Sequence, residues 1–547
     1  MDSSIQSLTG AANPGLSTKC MLGQPCFCML NQPPTRQYPN HSCVLQPGPS
    51  LPPVINYRLL LIGALTSFAL LSCRKDEVFT DDAGAKLVLT EDTVLFDTIF
   101  TTVGSATKRF TVRNENDNAV RVDIALEGGT PSPFRINVDG ASGVAFDDVE
   151  ILGGDSLFIF VEATLDQNNA SNPFIFEDHI LLNTNGNEQS VLLLAWGQDA
   201  VFYRPDQSIQ GLPAFSYIAG GLDADSNQIC ETVTWTVEKP IVIFGYAVVD
   251  ECCKLIIDPG VKVYFHGGGG LWVYRGGAIE ANGELENRIT FQGDRLEATY
   301  DDLPNQWDRI WINESDQDNR LSYCEIKNAL IGIQAQTWPL TDGQPLSSNT
   351  LWLDNVSIKN CLTAGLYTEN YRIKATNLLV GDAGQYSVVL TGSGSYQFDH
   401  PTIANYWSFD IRQDPAFLMT NSFIDLTGTE QLRAIETSTF TNGIIYGNNT
   451  NEFKLEIDEA AGVNYTFERF LFKTDQALDD GHFLGGIFQN QNPGFVDAAE
   501  GDLHLSSELV FAADKGGFSP VGVTNDLDGQ FYGDDGTIPV GCYEPNN

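Results

Sequence analysis

The stretch that decides the fold is residues 255–292, LIIDPGVKVYFHGGGGLWVYRGGAIEANGELENRITFQ. Short β-rich runs follow one another in it, and each is separated from the next by a tight turn such as Asp258-Pro259-Gly260. Runs this short are too small for a hairpin-built core. They predict a chain that winds, so that each run stacks on the equivalent run one coil later. The runs are Leu255–Ile257, Val261–Phe265, Leu271–Tyr274, Ala278–Ala281 and Arg288–Gln292.

A degenerate repeat continues this winding further along the chain. Ile358 and Val380 are 22 residues apart, and Ile403 follows 23 residues later. Asn355 and Asn377 share the spacing of 22 residues. One coil of three strands needs a repeat of about this length. We therefore expect the two asparagines to stack inside a turn and to hydrogen-bond the backbone there.

One coil carries an insertion. Ile326 and Ile358 occupy equivalent positions but are 32 residues apart, which predicts a loop of extra residues between them. The segment Thr337–Ser348, TWPLTDGQPLSS, fits this description. Insertions in solenoids lie on one face, which is often the binding face.

The quoted stretch resembles the opening coils of right-handed parallel β-helix proteins from bacterial surfaces, a pectate-lyase-like solenoid. The motifs that carry the resemblance are Pro259-Gly260, Gly276-Gly277, Ala281-Asn282-Gly283 and Ile289-Thr290-Phe291. The resemblance implies a right-handed parallel β-helix. It does not fix an activity, because this fold hosts lyases, hydrolases, adhesins and inert scaffolds.

The C-terminal end resembles the closing motif of the same family. Asn525–Gly529 is followed by Val540–Glu544, where the family more often has Asp-Ile-Gly-Ala-Tyr-Glu. Val540 and Cys542 depart from that pattern. A closing cap is expected here, because a solenoid end exposes unpaired strand edges and apolar core.

Residues 91–200 predict a β-sandwich. In Val120–Leu126 every second residue is apolar, and Asn183–Asn187 is a turn signal between two further runs. About seven half-buried strands at such spacing are typical of an immunoglobulin-like sandwich. The region is similar to the sandwich domains that separate the lipid anchor from the β-helix in surface lipoproteins. We interpret it as a spacer.

A secretory leader is predicted ahead of the sandwich. Residues 59–71 form a 13-residue apolar run after Arg58, which is too short for a membrane span of about 20 residues. Leu70-Leu71-Ser72-Cys73 resembles the lipobox of bacterial lipoproteins, which implies lipidation of Cys73. The following Arg74–Glu77 resembles an export signal to the outer leaflet of the outer membrane. The alternatives are a cysteine in a buried helix and a solvated polar tether.

The composition limits the partners. The formal net charge is −41, with 71 acidic against 30 basic residues. Such a field repels nucleic acid, and it argues against polyanionic, pectin-like substrates unless a cation bridges them. The simplest interpretation of the charge is the solubility of an exported protein.

The junction between the two predicted domains contains cysteines and an acidic loop. Cys230 is expected to pair with Cys252 or Cys253 if the protein is exported, and the sequence leaves this choice open. Asp223–Asn227 begins like a calcium loop. Gln228 stands where an EF-hand needs glycine, so we reject an EF-hand and leave only a weak Ca²⁺ site open.

Catalytic groups are hard to assign. Asp294-Arg295, Asp308-Arg309, Asp316 and Asp318 lie close in sequence, as a lyase cluster would, but solvated loop charge is the simpler interpretation. Arg372-Ile373-Lys374 matches a tripeptide of polygalacturonases, whose preceding elements are absent here. We therefore assign no catalytic residue and no metal ligand.

Exposed aromatic residues are candidates for stacking on sugar rings. Trp307, Trp311 and Trp352 are more simply explained as core residues. Trp338 lies in the insertion beside Pro339 and is the predicted ligand-binding residue.

These observations predict an all-β lipoprotein with an N-terminal immunoglobulin-like β-sandwich followed by a right-handed parallel β-helix. We expect it to be lipid-anchored in the outer membrane, to face the cell exterior and to act as a non-catalytic scaffold for glycan binding or adhesion. The alternatives are a polysaccharide lyase or glycoside hydrolase and a structural surface component.

The predicted segments are an N-terminal extension at 1–53, a signal peptide at 54–73, a tether at 74–90, the sandwich at 91–200, a linker and helix cap at 201–254, the β-helix at 255–475, and the last coils and C-terminal cap at 476–547.

The position of the leader gives a first prediction. Signal peptides begin at the N-terminus, so we expect translation to start near Val54 and the mature chain to begin at an acylated Cys73. Mass spectrometry of the N-terminal peptide of the native precursor and of the mature protein checks both points. Recovery of peptides from residues 1–50 in the native precursor would contradict the proposed start.

Overall fold

The computed structural model describes residues 77–166, 174–479, 481–533 and 536–545. The predicted leader, its Cys73 and the extension at 1–53 lie outside these residues. The described chain is all-β and consists of a pair of packed sheets and a long parallel sheet that coils. Its described helices are short 3₁₀ turns at Ala298–Tyr300, Glu459–Ala461, Ala498–Glu500 and Phe511–Asp514.

The N-terminal part contains two five-stranded sheets that share one apolar core. Residues in Val120–Leu126 alternate between buried and exposed positions, which confirms the alternation seen in the sequence. One sheet contains, in spatial order, Val88–Leu89, Lys108–Arg113, Ser156–Ala163, Phe134–Val138 and Ala141–Gly143. The other contains Thr93–Phe100, Asn187–Gln198, Phe174–Thr184, Val120–Leu126 and Ala145–Ile151.

Most of the remaining strands form a solenoid with three faces, here called A, B and C in the order in which the chain visits them, and two small antiparallel pairs lie outside it, Ser422–Ile424 with Glu430–Leu432 and Phe495–Asp497 with Asp502–Leu505. Face A contains Val201–Tyr203, Ile241–Ile243, Lys262–Phe265, Ile289–Gly293, Cys324–Lys327, Ser357–Lys359, Leu379–Gly381, Thr402–Asn405 and the second halves of Ile435–Gly447, Val463–Phe472 and Phe483–Gln489. Face B contains Phe215–Ala219, Tyr246–Val249, Gly270–Val273, Ile310–Ile312, Ile331–Gln336, the first halves of Ala364–Thr376 and Tyr386–Asp399, Phe417–Thr420 and Phe453–Glu456. Face C contains Thr232–Trp235, Lys254–Ile257, Ala278–Asn282, Asn319–Ser322, Thr350–Asp354, the second halves of Ala364–Thr376 and Tyr386–Asp399, and the first halves of Ile435–Gly447, Val463–Phe472 and Phe483–Gln489.

The stacking register confirms the repeat that the sequence indicates. Ile358 pairs directly with Val380, and Val380 pairs with Ile403. Ile326 pairs with Ile358 despite the longer spacing, because residues 337–349 leave the coil as an insertion. All these isoleucine and valine side chains lie in one continuous apolar core.

The parallel ladder begins earlier than residue 255, where the sequence predicts the β-helix to start, and it ends within the predicted last coils. It begins at Val201–Tyr203, which pairs with Ile241–Ile243 of the next coil. It continues to Phe483–Gln489, which pairs with Val463–Phe472. The first coils are hidden in the sequence because the loop at 220–231 interrupts the run spacing.

The corner between faces C and A is tight in the later coils. The chain turns there at one residue with a left-handed backbone, and asparagine adopts this conformation more readily than most residues. Asn377 Nδ2 donates a hydrogen bond of 2.8 Å to Asn355 Oδ1, so the two asparagines stack as expected. The left-handed residues at this corner are Tyr323, Asn355, Asn377, His400, Asn442 and Arg469.

Long insertions leave the coils only at the other two corners, within the described residues. Residues 294–309 and 406–416 lie between strands of faces A and B. Residues 220–231, 337–349 and 421–434 lie between strands of faces B and C. Face B is therefore bordered by loops at both ends of its strands.

The outside of face A is covered by other parts of the chain. The paired sheets contact its first coils through Phe100, which packs on Tyr264 with ring centroids 4.9 Å apart. The C-terminal segment, residues 490–533 and 536–545, packs on the later coils, where Leu503 and Leu527 join a cluster with Leu379. The C-terminal segment therefore covers the outside of face A in these later coils.

His504, which contacts two carboxylates, links different parts of the C-terminal segment. His504 Nδ1 lies 2.5 Å from Asp502, and its Nε2 lies 2.8 Å from Asp528. Its ring also packs on Tyr543, with ring centroids 3.9 Å apart. The hydrogen bond to Asp528 is the main reason why the pKa of His504 is raised. Arg288, from the solenoid, lies 3.7 Å from Asp528.

The first coils are joined by a disulfide between Cys230 and Cys252, which settles the choice left open by the sequence. The two cysteines precede Thr232 and Lys254, which pair in register on face C. They therefore occupy the same place in successive coils. Cys253 points into the core and is buried.

Breaking this disulfide should destabilise the first coils. Closing a loop of this length stabilises a fold by about 3 kcal/mol through the lost entropy of the unfolded chain. We expect a reductant to lower the free energy of unfolding of the wild type by this amount, as measured by chemical denaturation. The C230S/C252S variant is the control, and a reductant should leave it unchanged. An equal effect of reductant on both proteins would show that the disulfide does not act in this way.

The His504 contacts predict a pH dependence for the C-terminal segment. Because its folded-state pKa is raised above the ordinary 6.5, the stabilisation is fully present below that value and is lost as the pH rises through the folded pKa. Hydrogen exchange of the C-terminal segment should therefore become faster, beyond the intrinsic increase, as the pH rises above the ordinary histidine pKa of 6.5. His504→Gln should remove this extra dependence. A variant that keeps the wild-type pH profile would rule out His504 as its source.

Candidate ligand-binding face

The three faces of the solenoid differ in what they present to solvent. Face A is covered by the paired sheets and the C-terminal segment. Face C carries charged side chains that are largely engaged with one another, such as Lys254 with Glu280. Face B carries on its outside a cluster of large aromatic side chains, in which Tyr246 and Trp272 are buried and Trp311 is half-buried. The candidate ligand site therefore lies on face B.

Two tryptophans stack on neighbouring coils of face B. Trp272 and Trp311 are register partners, and neighbouring strands of a sheet are spaced by about 4.8 Å. Their ring centroids are accordingly 4.6 Å apart, with an angle of 9° between the ring planes. Trp272 Nε1 donates a hydrogen bond of 2.8 Å to Asn313 Oδ1. Trp311 Nε1 is buried and has no hydrogen-bond partner among the described residues.

A tyrosine extends the aromatic surface towards the first coils. Tyr246 lies edge-on to Trp272, with ring centroids 6.5 Å apart. Its ring occupies the space above Gly270, where an added Cβ would come within 2.8 Å of the ring. The last glycine of the four-glycine turn therefore makes room for this side chain. The Tyr246 hydroxyl donates a hydrogen bond to Asp308.

Trp338 extends the surface in the other direction. It stands at the start of the insertion and is half-buried. Its ring contacts Trp311 edge-on, with ring centroids 5.9 Å apart and an angle of 83°. Its backbone N–H donates a hydrogen bond of 2.8 Å to Glu314. The residue predicted from the sequence to bind a ligand thus borders the stacked pair.

Polar side chains continue the outward column of Trp311 on the next coils. Gln334 is the register partner of Trp311, and Tyr367 is the register partner of Gln334. Arg309 donates hydrogen bonds to Gln334 and, at 2.9 Å through Nε, to Asp308. An internal hydrogen-bond network of amide, guanidinium and carboxylate groups thus adjoins the indole rings on this face.

Glu369 is the unusual group of this face. It pairs in register with Gln336, and only 8% of the residue is exposed. No described residue forms a hydrogen bond or an ion pair with its carboxyl group. Burial raises the pKa of this carboxyl to about 7. A carboxyl group in this state exchanges protons near neutral pH.

The other tryptophans considered from the sequence have different places. Trp307 is buried in the core and stacks on Phe265, with ring centroids 4.1 Å apart. Trp352 lies on face C, where Arg320 and Lys374 approach its ring to 4.8 Å and 4.5 Å. Trp311 is therefore the member of that group that contacts Trp338.

The carboxylates considered as a lyase cluster do not converge. Asp294 contacts His266 at 2.7 Å, and Asp308 contacts Arg309 at 2.8 Å. Asp318 accepts a hydrogen bond of 3.0 Å from Trp352 on face C. Each is engaged by a different neighbour, as expected for charges on separate loops.

The tripeptide Arg372-Ile373-Lys374 also lies on face C. Ile373 is buried in the core, while Arg372 contacts Glu436 at 2.6 Å. The described residues contain no group of three or more His, Cys, Asp or Glu side chains placed to hold a metal ion. In the same part of the chain, no helix is long and apolar enough to cross a membrane.

Sequence reasoning missed Trp272, Gln334 and Glu369 as parts of one surface. The register that brings Trp272 to Trp311 is obscured because residues 294–309 separate their strands as an insertion. Glu369 looks like any other acidic residue in a chain with 71 of them. Only its burial on the outside of face B sets it apart.

Comparison with known proteins adds little about function. No family model and no curated protein matches the sequence. Similar solved structures include a family 123 glycoside hydrolase from Clostridium perfringens, which is 11% identical and covers 20% of this chain and 23% of that chain, with a TM-score of 0.15. The CooA pilin subunit from enterotoxigenic Escherichia coli is 9% identical over 20% of this chain and 96% of its own, with a TM-score of 0.16. A protein of unknown function from Porphyromonas gingivalis is 12% identical over 27% of this chain and 59% of its own, with a TM-score of 0.16. Likenesses of this extent carry no argument about function.

Proposed function

We propose that this protein is a cell-surface scaffold that binds glycans on face B of its solenoid without cleaving them. The observation that carries the proposal is the contact of Trp338 with the stacked pair Trp272 and Trp311. Aromatic rings offer rigid apolar area to the C–H faces of sugars at a low cost in conformational entropy. Gln334, whose amide hydrogen-bonds to Arg309 and to Gln336, is the polar residue that follows Trp311 in register on the next coil.

The wider architecture belongs to the same proposal. The paired sheets act as an immunoglobulin-like spacer, and the solenoid is a right-handed β-helix, the hand that parallel crossover connections strongly prefer. The lipobox-like sequence ending at Cys73 supports a lipid anchor in the outer membrane, with the solenoid facing the cell exterior. On this proposal the partners are the membrane and a polysaccharide, without nucleic acid.

A second candidate function is a polysaccharide lyase or glycoside hydrolase. Glu369 favours it, because a carboxyl group with a pKa of about 7 suits general acid or base catalysis at neutral pH. Under this alternative, the full-length chain would release products from a polysaccharide and Glu369→Gln would abolish the release. The non-catalytic proposal expects no products from either protein.

The aromatic surface gives a direct test of glycan binding. We expect the full-length wild-type chain to be retained on a glycan array, and W311A and W338A each to weaken that retention about tenfold or more, as is typical when a central aromatic contact is removed. Isothermal titration with the retained glycan measures the change. W311F, which keeps an aromatic ring, should lose less than W311A.

W352A is the matched control, because Trp352 is a half-buried tryptophan on face C. It should bind as tightly as the wild type. Circular dichroism and thermal unfolding establish that each variant is folded. Equal losses in W352A and W311A, or no retention of the wild type on any glycan, would refute binding on face B.

A further inference from the structure

We propose that face B binds an uncharged polysaccharide that lies along the solenoid axis, with sugar rings on Trp311 and Trp338 and sugar hydroxyls at Glu369. This inference rests on the proposed glycan binding and specifies its ligand class. It follows from the charges of the face, from the unpaired carboxyl group and from the positions of the bordering loops.

Every basic side chain that belongs to a described strand of face B, or lies within two residues of one, is engaged by a carboxylate. Arg275 contacts Glu314 at 2.8 Å, and Arg309 contacts Asp308 at 2.8 Å. Lys454, at the far end of the face, forms an ion pair with Glu456. No cation is therefore left on these strands to receive a sugar carboxylate or sulfate. Anionic sugars would have to displace existing ion pairs, which costs binding energy.

Glu369 adds to this discrimination. Its carboxyl group is buried, and no neighbouring cation lowers the cost of its charge. A uronate placed beside it would bring a second negative charge into a poorly solvated site. A neutral hydroxyl, in contrast, can donate to the ionised carboxylate, and it can also accept from the carboxyl group when that group is protonated. Glu369 is therefore suited to recognise a hydroxyl and to reject a carboxylate.

The loops indicate a polymer rather than a small sugar. Residues 294–309 border face B at one end of its strands, and residues 337–349 border it at the other end. The outward column Trp272, Trp311, Gln334 and Tyr367 runs across successive coils between these borders. A ligand that follows this column crosses successive coils while loops border the strands at both ends. This placement favours an extended chain over a single small sugar.

Direct titrations with uncharged and anionic polysaccharides test the ligand class. The full-length wild-type chain is titrated at pH 7 and low salt with dextran, mannan, xylan and β-1,3-glucan, and with polygalacturonate and alginate of similar length. We expect at least one uncharged polymer to bind about tenfold tighter or more than both polyuronates. W311A should weaken that binding, whereas W352A should leave it unchanged.

The variants Glu369→Gln and Glu369→Ala distinguish the charge of the carboxyl group from its hydrogen bonding. The Gln variant keeps hydrogen-bonding capacity and should retain the uncharged ligand while binding polyuronate better than the wild type. The Ala variant should lose affinity for the uncharged ligand. Polyuronate binding as tight as that of every uncharged polymer, with W311A still impaired, would overturn this inference and leave glycan binding standing. Failure of all six polymers and of the glycan array to bind would overturn both.

Discussion

The fold depends on the in-register stacking of each coil on the coil before it. Parallel pairing connects every strand of the solenoid to the equivalent strand of the next coil, from Val201–Tyr203 to Phe483–Gln489. A slip of one residue would turn the buried side chains of a strand outward and the exposed ones inward, so the apolar core enforces the register. The left-handed residues at the corner of faces C and A keep this register from coil to coil, because they turn the chain without adding length.

The same constraint decides where a ligand surface can develop. Because the corner between faces C and A is tight in the later coils, insertions enter at the two corners that border face B. Register also converts single aromatic positions into a column, since Trp272 and Trp311 meet only through their strand pairing. Face A cannot serve the same purpose, because the C-terminal segment and the paired sheets cover it. This is why the proposed ligand site lies on the outside of face B.

The sequence predicts the winding well where its period is uninterrupted. Ile358, Val380 and Ile403 stand one coil apart and pair as expected. The prediction weakens where loops break the period, which is why the coils before residue 255 and the partnership of Trp272 with Trp311 are not evident. The location of Trp338 in an insertion is evident from the sequence, but its contact with Trp311 is not. Contacts across coils depend on three-dimensional register, and single-sequence patterns do not contain it.

Glu369 shows most clearly why the outside of face B is more than a packed surface. A carboxyl group whose pKa is raised by burial makes the folded state less stable as the pH rises through about 7, because the unfolded chain ionises more readily. A glutamine or an apolar residue would fill this place without that cost. Glu452, in contrast, is buried and accepts hydrogen bonds from Arg412 and from two backbone N–H groups. Glu369 follows Gln336 one coil later on the outside of face B, and its carboxyl group is buried without a hydrogen bond from a described residue, which is the observation on which the proposed hydroxyl contact rests.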